Sequence, residues 1–376
     1  MRAVADLEIV QPLPYFPIVR PLPRWARSPS HTVDGNQIHH APMPYVPGVL
    51  KRFDGRFLER AVMSVVGPMH RARPFDLIEA HFGFPDGVGA LRAAARLGVP
   101  AFVTVRGLET DYLRDPAIGP QLAEALRRAA GCVSVSHSLK RLVTEHGVPP
   151  DSVRVIPNSV DRNLFRPAEK SAARASLDLP ADEPLVLTVG TLINLKRHHV
   201  VVQALARVRQ EHPGARLAII GTEREERDYP TRLRKLAADL GLQQAVRIVG
   251  AVAPPDVARW LAAADTFCLV SAREGCCNAV LEALACGRPV VTTPAGDNPD
   301  FVKDGQNGYV VPIDDVEATA TALIAAIGAR HWDADRISKG LSVGDWAGVA
   351  AQVVDFFNER LAIHGQRTGS VNRASP

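Results

Sequence analysis

At 376 residues the chain is long for a single hydrophobic core, which stops growing near ~250–300 residues, and natural for two. Apolar residues make up 46% and charged residues 22%, with a formal charge of +4. That is the composition of a soluble globular protein, and so small a charge gives no support to nucleic acid as a partner.

The five cysteines are Cys132, Cys268, Cys276, Cys277 and Cys286. They show no C-x-x-C spacing and no histidine cluster completes a zinc set, which suits a reducing cytoplasm. The opening "MRAVADLEIVQPLPYFP" has acids and prolines where a signal peptide needs an unbroken apolar core. No apolar run approaches the ~20 residues of a membrane helix. The expectation is a cytoplasmic protein, at most peripheral to the inner membrane face. Basic stretches such as "KRFDGRFLER" and "HRAR" are the candidate lipid contacts, with ordinary solvated faces as the alternative.

In chain order, the proline-rich start offers one strand in "LEIVQPLP" and loop through "FPIVRPLPRWARSPSH". "FDLIEAH", "PAFVTVRG" and "CVSVS" then read as buried strands, alternating with the helical patterns "DGVGALRAAARLG", "GPQLAEALRRAAG" and "HSLKRLVTEHG". The polar, proline-punctuated stretch 166–184 reads as a domain junction. The second half restarts with six short apolar strands, "LVLTVG", "RLAIIG", "VRIVG", "TFCLVS", "PVVTT" and "GYVVP", separated by helical patterns. Such alternation means parallel sheets covered on both faces. The predicted fold is α/β, two Rossmann-like doubly wound domains facing a cleft. The expected bounds are 1–166, 167–345, a last helix 346–365 crossing back to the first domain, and a disordered tail 366–376.

Candidate chemistry gathers after "TFCLVS", in "REGCCNAVLEALACGRPVV". A loop at the carboxyl end of a parallel strand is where open α/β sheets bind ligands. Gly275 to Asn278 open the helix "NAVLEALAC", whose unpaired N–H groups and dipole suit a phosphate. Glu282 lies one turn further and can accept hydrogen bonds from both hydroxyls of a ribose diol. Glu274 sits at the strand end, within the sphere of a sugar hydroxyl. Spacing alone says little, because most glutamates are merely solvated. Lys196 adds weight: it follows "LVLTVG" by a short loop and opens a helix, where a cation is disfavoured unless an anion faces it. Its neighbours Arg197, His198 and His199 read as solvated or packed. Neither a G-x-G-x-x-G turn nor a P-loop occurs, which disfavours nicotinamide cofactors and P-loop hydrolysis.

"VGTLINLK", "EGCCNAVLEALACGRPVVTT" and "NGYVVP", in this order and spacing, closely resemble the donor-binding half of glycosyltransferase family 4, retaining enzymes of the GT-B fold, and "PNSVD" resembles the family's signature at the domain junction. "FDLIEAHFGFPDG" and "TVRG" resemble its first-domain strands. Within the family the chain is similar to bacterial exopolysaccharide and teichuronic-type glycosyltransferases. The resemblance implies a nucleotide-sugar donor, a saccharide or lipid-linked acceptor, and no metal or other cofactor. It gives Glu274 the donor sugar and Lys196 the leaving diphosphate. Gly190, Thr191, Arg197, Gly275, Cys277, Asn278 and Glu282 would line the donor, and His81 and Arg106 the acceptor side.

Three departures accompany it. Thr191 stands where relatives often have a diphosphate-binding arginine, which shifts that task to Arg197 or Arg106. Arg106 stands where many have histidine and cannot act as a base; pairing with Glu109 or Asp111 is its alternative. The family's opening strand and glycine-rich loop have no counterpart, so the first domain is expected to be incomplete, the start being internal to a longer chain or the copy degraded. Two other functions share the architecture: a hydrolysing sugar-nucleotide 2-epimerase, and a non-catalytic nucleotide-sugar-binding remnant. Among lesser candidates, His137 reads as local capping, Cys276, Cys277 and Cys286 as packing, and Asp297 and Asn298 as donor neighbours or helix caps.

Overall fold

The structure is a computed structural model that describes residues 5–371 apart from 17–20, 34, 47–49, 224–225 and 330–331, with side chains in the last helix described through Ile363. Two compact units divide the chain: Met1–Pro157 with Ala347–Pro376, and Asn158–Trp346.

In the first unit, strands β1 (Ile9–Tyr15), β2 (Ser30–Val33) and β3 (Asn36–Pro44) form a sheet of order β1-β3-β2, with β1 parallel and β2 antiparallel to β3. Helix Asp54–Ala72 lays Leu58, Ala61, Val62 and Val66 on Ala41 and Met43 of β3. Of these elements only β1 is expected from the sequence, which reads 16–31 as loop and gives residues 32–74 no assignment. Two signals were available: the Asp-Gly pair at 34–35, which favours a two-residue hairpin, and the helical spacing of those four apolar residues.

Four parallel strands follow in consecutive order: β4 (Ile78–His81), β5 (Ala101–Val105), β6 (Gly131–Ser134) and β7 (Val153–Val155). The last helix, Trp346–Val371, packs Val353, Phe356 and Phe357 against Phe102, Val133 and Ile156 of this unit. It runs past residue 365 because no proline interrupts the stretch. The disordered tail expected from 366 is therefore helical through Val371, and 372–376 lie outside the described residues.

The second unit holds one six-stranded parallel sheet of order β10-β9-β8-β11-β12-β13. Its strands are β8 (Leu185–Val189), β9 (Arg216–Ile220), β10 (Val246–Gly250), β11 (Thr266–Leu269), β12 (Val290–Thr292) and β13 (Gly308–Val310). Strand alternation explains why all six read as apolar. Leu187, Ala218, Phe267 and Leu269 enter the core on one face, while Val186, Leu217, Ile219 and Cys268 enter the core on the other. From β8 the chain winds outward through β9 and β10, and from β11 it winds the opposite way. The switch point lies between β8 and β11, the position at which open α/β sheets bind ligands at the carboxyl ends of their strands.

The unit boundary falls at Pro157/Asn158, earlier than the 166/167 expected. The reason is side-chain anchoring. Val160 and Phe165 lie in the second unit's core, and Arg162 donates to the Ser338 and Leu341 carbonyls at 3.0 and 2.9 Å. Polar composition marked the surface of this segment and said nothing of the two apolar anchors.

Where β8 and β9 end, a Cβ on Gly221 would lie 1.8 Å from the Gly190 carbonyl oxygen, so the two strand ends approach as only glycine permits. Gly221→Ala should destabilise the chain by roughly 1–3 kcal/mol and displace the loop after β8. Chemical denaturation of the variant checks the first, and loss of ligand affinity the second.

Candidate functional site

Two loops emerge side by side at the switch point. After β8 the chain passes Gly190 and Thr191 into a short 3-10 turn, Asn194–Lys196. After β11, Ser271 to Cys277 lead into helix Asn278–Ala285. The Ala272 N–H donates to the Leu195 carbonyl at 2.9 Å and ties the loops together. Beyond this tie, Lys196 Nζ donates to both Glu274 carboxylate oxygens, at 2.7 and 2.8 Å. The side chains are 19% and 8% exposed, so water screens the pair weakly. Burial works to lower the Lys196 pKa, but the Glu274 charge and hydrogen bond outweigh it and hold the ammonium above the ordinary lysine value.

Helix Asn278–Ala285 is apolar nearly all round, burying Val280, Leu281, Ala283, Leu284 and Ala285. Its first residue follows Cys277, which offers no side-chain cap. Among the described residues the Asn278 and Ala279 N–H groups have no hydrogen-bond acceptor, leaving an open anion-binding end. Glu282 is the one charged residue of this helix. It is half-buried, and among the described residues its carboxylate has no hydrogen bond or ion pair. Burial alone pushes its pKa up to about 7. Two glutamates eight residues apart therefore differ in state: Glu274 is held by a cation, and Glu282 waits for donors.

Surrounding groups hold this geometry. His198 is fully buried, and burial pushes its pKa down to about 4. The neutral ring donates from Nε2 to the Thr191 carbonyl at 3.2 Å and receives the Thr188 hydroxyl at Nδ1, 3.4 Å away. It is thus a packed brace beneath the Gly190–Lys196 loop. Asn158, from "PNSVD", donates to Asn278 Oδ1 at 2.8 Å and orients the helix start. Gly296, at φ +61°, brings its backbone so near the Glu274 and Gly275 carbonyls that a Cβ would lie 2.9 and 3.0 Å from them. Asn298 turns inward, donating to Thr292 Oγ1 at 2.9 Å, so it braces this loop as a buried residue. The Ser271 hydroxyl, two residues past β11, is enclosed without a partner among the described residues. Sequence reasoning overlooked it, as it overlooked Asn158.

Arg197 takes another direction. Its Nε donates to Asp314 Oδ1 at 2.6 Å and its side chain also reaches the Asn194 carbonyl. The structure does not bring it to the Lys196–Glu274 pair. Cys277 is buried and burial raises its thiol well above the ordinary range, while Cys286 is pushed up to about 12 by the same cause. Neither is a reactive thiolate.

In the first unit, His81 at the end of β4 and Arg106 after β5 come together, with Arg106 Nη1 2.9 Å from His81 Nδ1. Burial, aided by Arg106 and opposed by Glu79, lowers the His81 pKa. The Arg106 backbone N–H is held by Glu109, a fully buried carboxylate that also accepts from Gly83 and Gly107. His137 begins a helix capped by Ser136, whose hydroxyl accepts from the Leu139 N–H at 3.2 Å.

The fold is a two-domain Rossmann-like GT-B fold, shared with Anabaena HepE in complex with UDP and glucose. The TM-score is 0.74 at 22% identity, covering 86% of each chain. Sucrose-phosphate synthase from Thermosynechococcus elongatus matches with a TM-score of 0.76 at 21% identity, covering 89% of this chain and 86% of that one. Family models described as Glycosyltransferase Family 4 and Glycosyl transferases group 1 match residues 22–164 and 183–328. The D-inositol 3-phosphate glycosyltransferase of Thermobispora bispora is 31% identical over 319 residues, 78% of this chain and 72% of the relative. That of Acidothermus cellulolyticus is 34% identical over 254 residues, 63% of this chain and 56% of the relative. The chain belongs to the family 4 glycosyltransferases. Among the described residues no helix is long and apolar enough to cross a membrane.

Glu282 gives a pH test. Its pKa is raised from 4.5 to about 7, so its ionisation opposes folding. Its favourable contribution is fully present below pH 4.5 and lost as pH rises through 7. Glu282→Gln should therefore stabilise the chain at pH 8, by on the order of 2–3 kcal/mol, and change little at pH 4. A nucleotide that needs the carboxylate should bind roughly tenfold more weakly at pH 6 than at pH 8, and the variant should lose that dependence. Calorimetric titration and thermal unfolding across this range read both.

Proposed function

We propose that the chain is a retaining glycosyltransferase that takes its sugar from a nucleoside diphosphate donor held in the second unit. The observation that carries this is the Lys196–Glu274 pair beside an open helix N-terminus, with Glu282 unpartnered in the same helix. Lys196 and the Asn278 and Ala279 N–H groups face the diphosphate, Glu282 accepts the ribose hydroxyls, and Glu274 accepts from the sugar. The bond between the anomeric carbon and the phosphate oxygen breaks, and its electron pair leaves on the diphosphate. The acceptor oxygen forms the new bond on the same face and gives its proton to the departing phosphate. Stabilising charge on the leaving group is the main task of such a step, and Lys196 with the helix start performs it without requiring a metal.

UDP is the first nucleotide to test, because the Anabaena neighbour was captured with it. The relatives are named for D-inositol 3-phosphate, which favours a ring-polyol phosphate as acceptor over the growing polysaccharide suggested by the family resemblance. An epimerase would release free sugar, and a binding remnant would hold nucleotide without turnover.

The experiment is transfer from UDP-glucose, UDP-galactose and UDP-N-acetylglucosamine to D-inositol 3-phosphate, followed by NMR. The product should keep the donor's anomeric configuration, activity should survive EDTA, and Lys196→Ala should lower kcat/KM roughly a hundredfold or more. Inversion, release of epimerised sugar, or full activity in Lys196→Ala would each count against the proposal.

A further inference from the structure

Arg197 follows Lys196 directly, and its backbone is left-handed, at φ 54°. Asp314, in the loop between β13 and helix Val316–Gly328, is left-handed too, at φ 60°. That conformation disfavours any residue with a Cβ, and glycine would adopt it freely. These two residues are joined to each other across 117 positions of sequence. Arg197 Nε donates to Asp314 Oδ1 at 2.6 Å and Nη2 to Oδ2 at 3.3 Å, the fork by which a guanidinium meets a carboxylate. A third guanidinium bond, from Nη1 to the Asn194 carbonyl at 2.8 Å, ties the fork to the turn Asn194–Lys196.

The pair is not what brings its two segments together. The helices that follow, His198–Glu211 and Val316–Gly328, already share a core through Val201, Leu205, Ala320 and Leu323. What the pair decides is direction. Lys196 and Arg197 are adjacent cations, and a guanidinium matches a carboxylate better than an ammonium does, so Arg197 is a competitor for Glu274. The left-handed backbone at 197 turns the two side chains apart, and Asp314 takes the guanidinium. Both Glu274 oxygens are then left to Lys196 Nζ. The turn is tethered ahead of Lys196 as well: the Asn194 N–H donates to Glu226 Oε1 at 3.0 Å, and the Leu195 carbonyl accepts from the Ala272 N–H at 2.9 Å. Arg197 supplies the tether on the far side.

We propose that the Arg197–Asp314 pair positions Lys196. It fixes the backbone beside the lysine and withholds the guanidinium from Glu274, so that the ammonium stays on the carboxylate and faces the diphosphate. That Lys196 serves a diphosphate rests on the transferase proposal; that it is positioned by this pair does not. Arg197 and Asp314 act through Lys196 and do not touch the nucleotide.

The test takes two readings on the full chain. Without nucleotide, the 15N resonance of the Lys196 ammonium, assigned through Lys196→Arg, reports whether Nζ is held. It should be ordered and slow to exchange in the native chain and averaged in Asp314→Gly. Glycine suits φ 60°, so this variant should melt close to the native chain. With UDP, Asp314→Gly should bind about threefold to tenfold more weakly than the native chain, and should add nothing to the loss in a Lys196→Ala background. Asp314→Asn, which keeps one acceptor oxygen, should fall between. Arg197→Gly removes the fork from its other end and should give the same two results, which keeps the test open should Asp314→Gly fold poorly. A Lys196 ammonium unchanged by Asp314→Gly overturns the proposal. So does a loss of UDP affinity that persists in full without Lys196, which would mark the pair as merely structural. Tighter UDP binding by Asp314→Gly also overturns it, because a released Arg197 would then serve the phosphates itself. An ammonium loosened by Asp314→Gly, with UDP affinity unchanged in Lys196→Ala, would keep the positioning role and remove the donor reading instead.

Discussion

A lysine and a glutamate 78 residues apart in sequence meet at the switch point of the second unit's sheet, and the local structure is arranged to let them. Such a pair adds little net stability, because desolvating two charges offsets most of their attraction. Removing one partner is a different matter, since it leaves an uncompensated charge at a cost of about 3–5 kcal/mol. The pair therefore places charge more than it stabilises the fold. It holds an ammonium and a carboxylate ready beside an open helix end, where an incoming anion can share the lysine.

The supporting groups each remove one way for this arrangement to fail. Gly221 lets the ends of β8 and β9 come together, and Gly296 lets a neighbouring loop rest on the Glu274 and Gly275 carbonyls. His198 stays neutral and pins the Thr191 carbonyl, so the loop carrying Lys196 is braced from within. Asn158 orients the helix start through Asn278. Set against these satisfied groups, Glu282 stands out as a half-buried carboxylate without a charged partner among the described residues. A fold that satisfies Glu109 with three N–H groups has the means to satisfy others. Glu282 has no such donors among the described residues, and in the proposed function a bound donor would supply them.

Much of the second unit was legible because a strand buried on both faces has to be apolar throughout, and "LVLTV" or "RLAII" allows little else. The loops that follow such strands are where ligands bind in open α/β sheets, and this made Lys196, Glu274, Gly275 and, one turn into the helix, Glu282 candidates. The pairing itself was not legible: nothing in spacing says that Lys196 reaches Glu274 while adjacent Arg197 turns to Asp314. The first fifty residues were read poorly because prolines suggested loop, whereas β1 and β3 pair through "IVQPLPY" and "NQIHHAPMP" despite them. His198 illustrates the limit of composition. A histidine in "KRHH" looks solvated until the sheet beneath it is known.

The most direct measurement is a double-mutant cycle on UDP affinity, using Lys196→Ala, Glu274→Ala and the pair of changes together. If Lys196 serves the diphosphate and Glu274 holds it ready, Lys196→Ala should weaken UDP strongly, because it removes the cation and leaves a buried carboxylate facing the phosphates. The double variant should then recover part of that loss, giving a coupling of about 1 kcal/mol or more. Strictly additive effects, or a Lys196→Ala chain that binds UDP as well as the native one, would contradict the central place given to this pair.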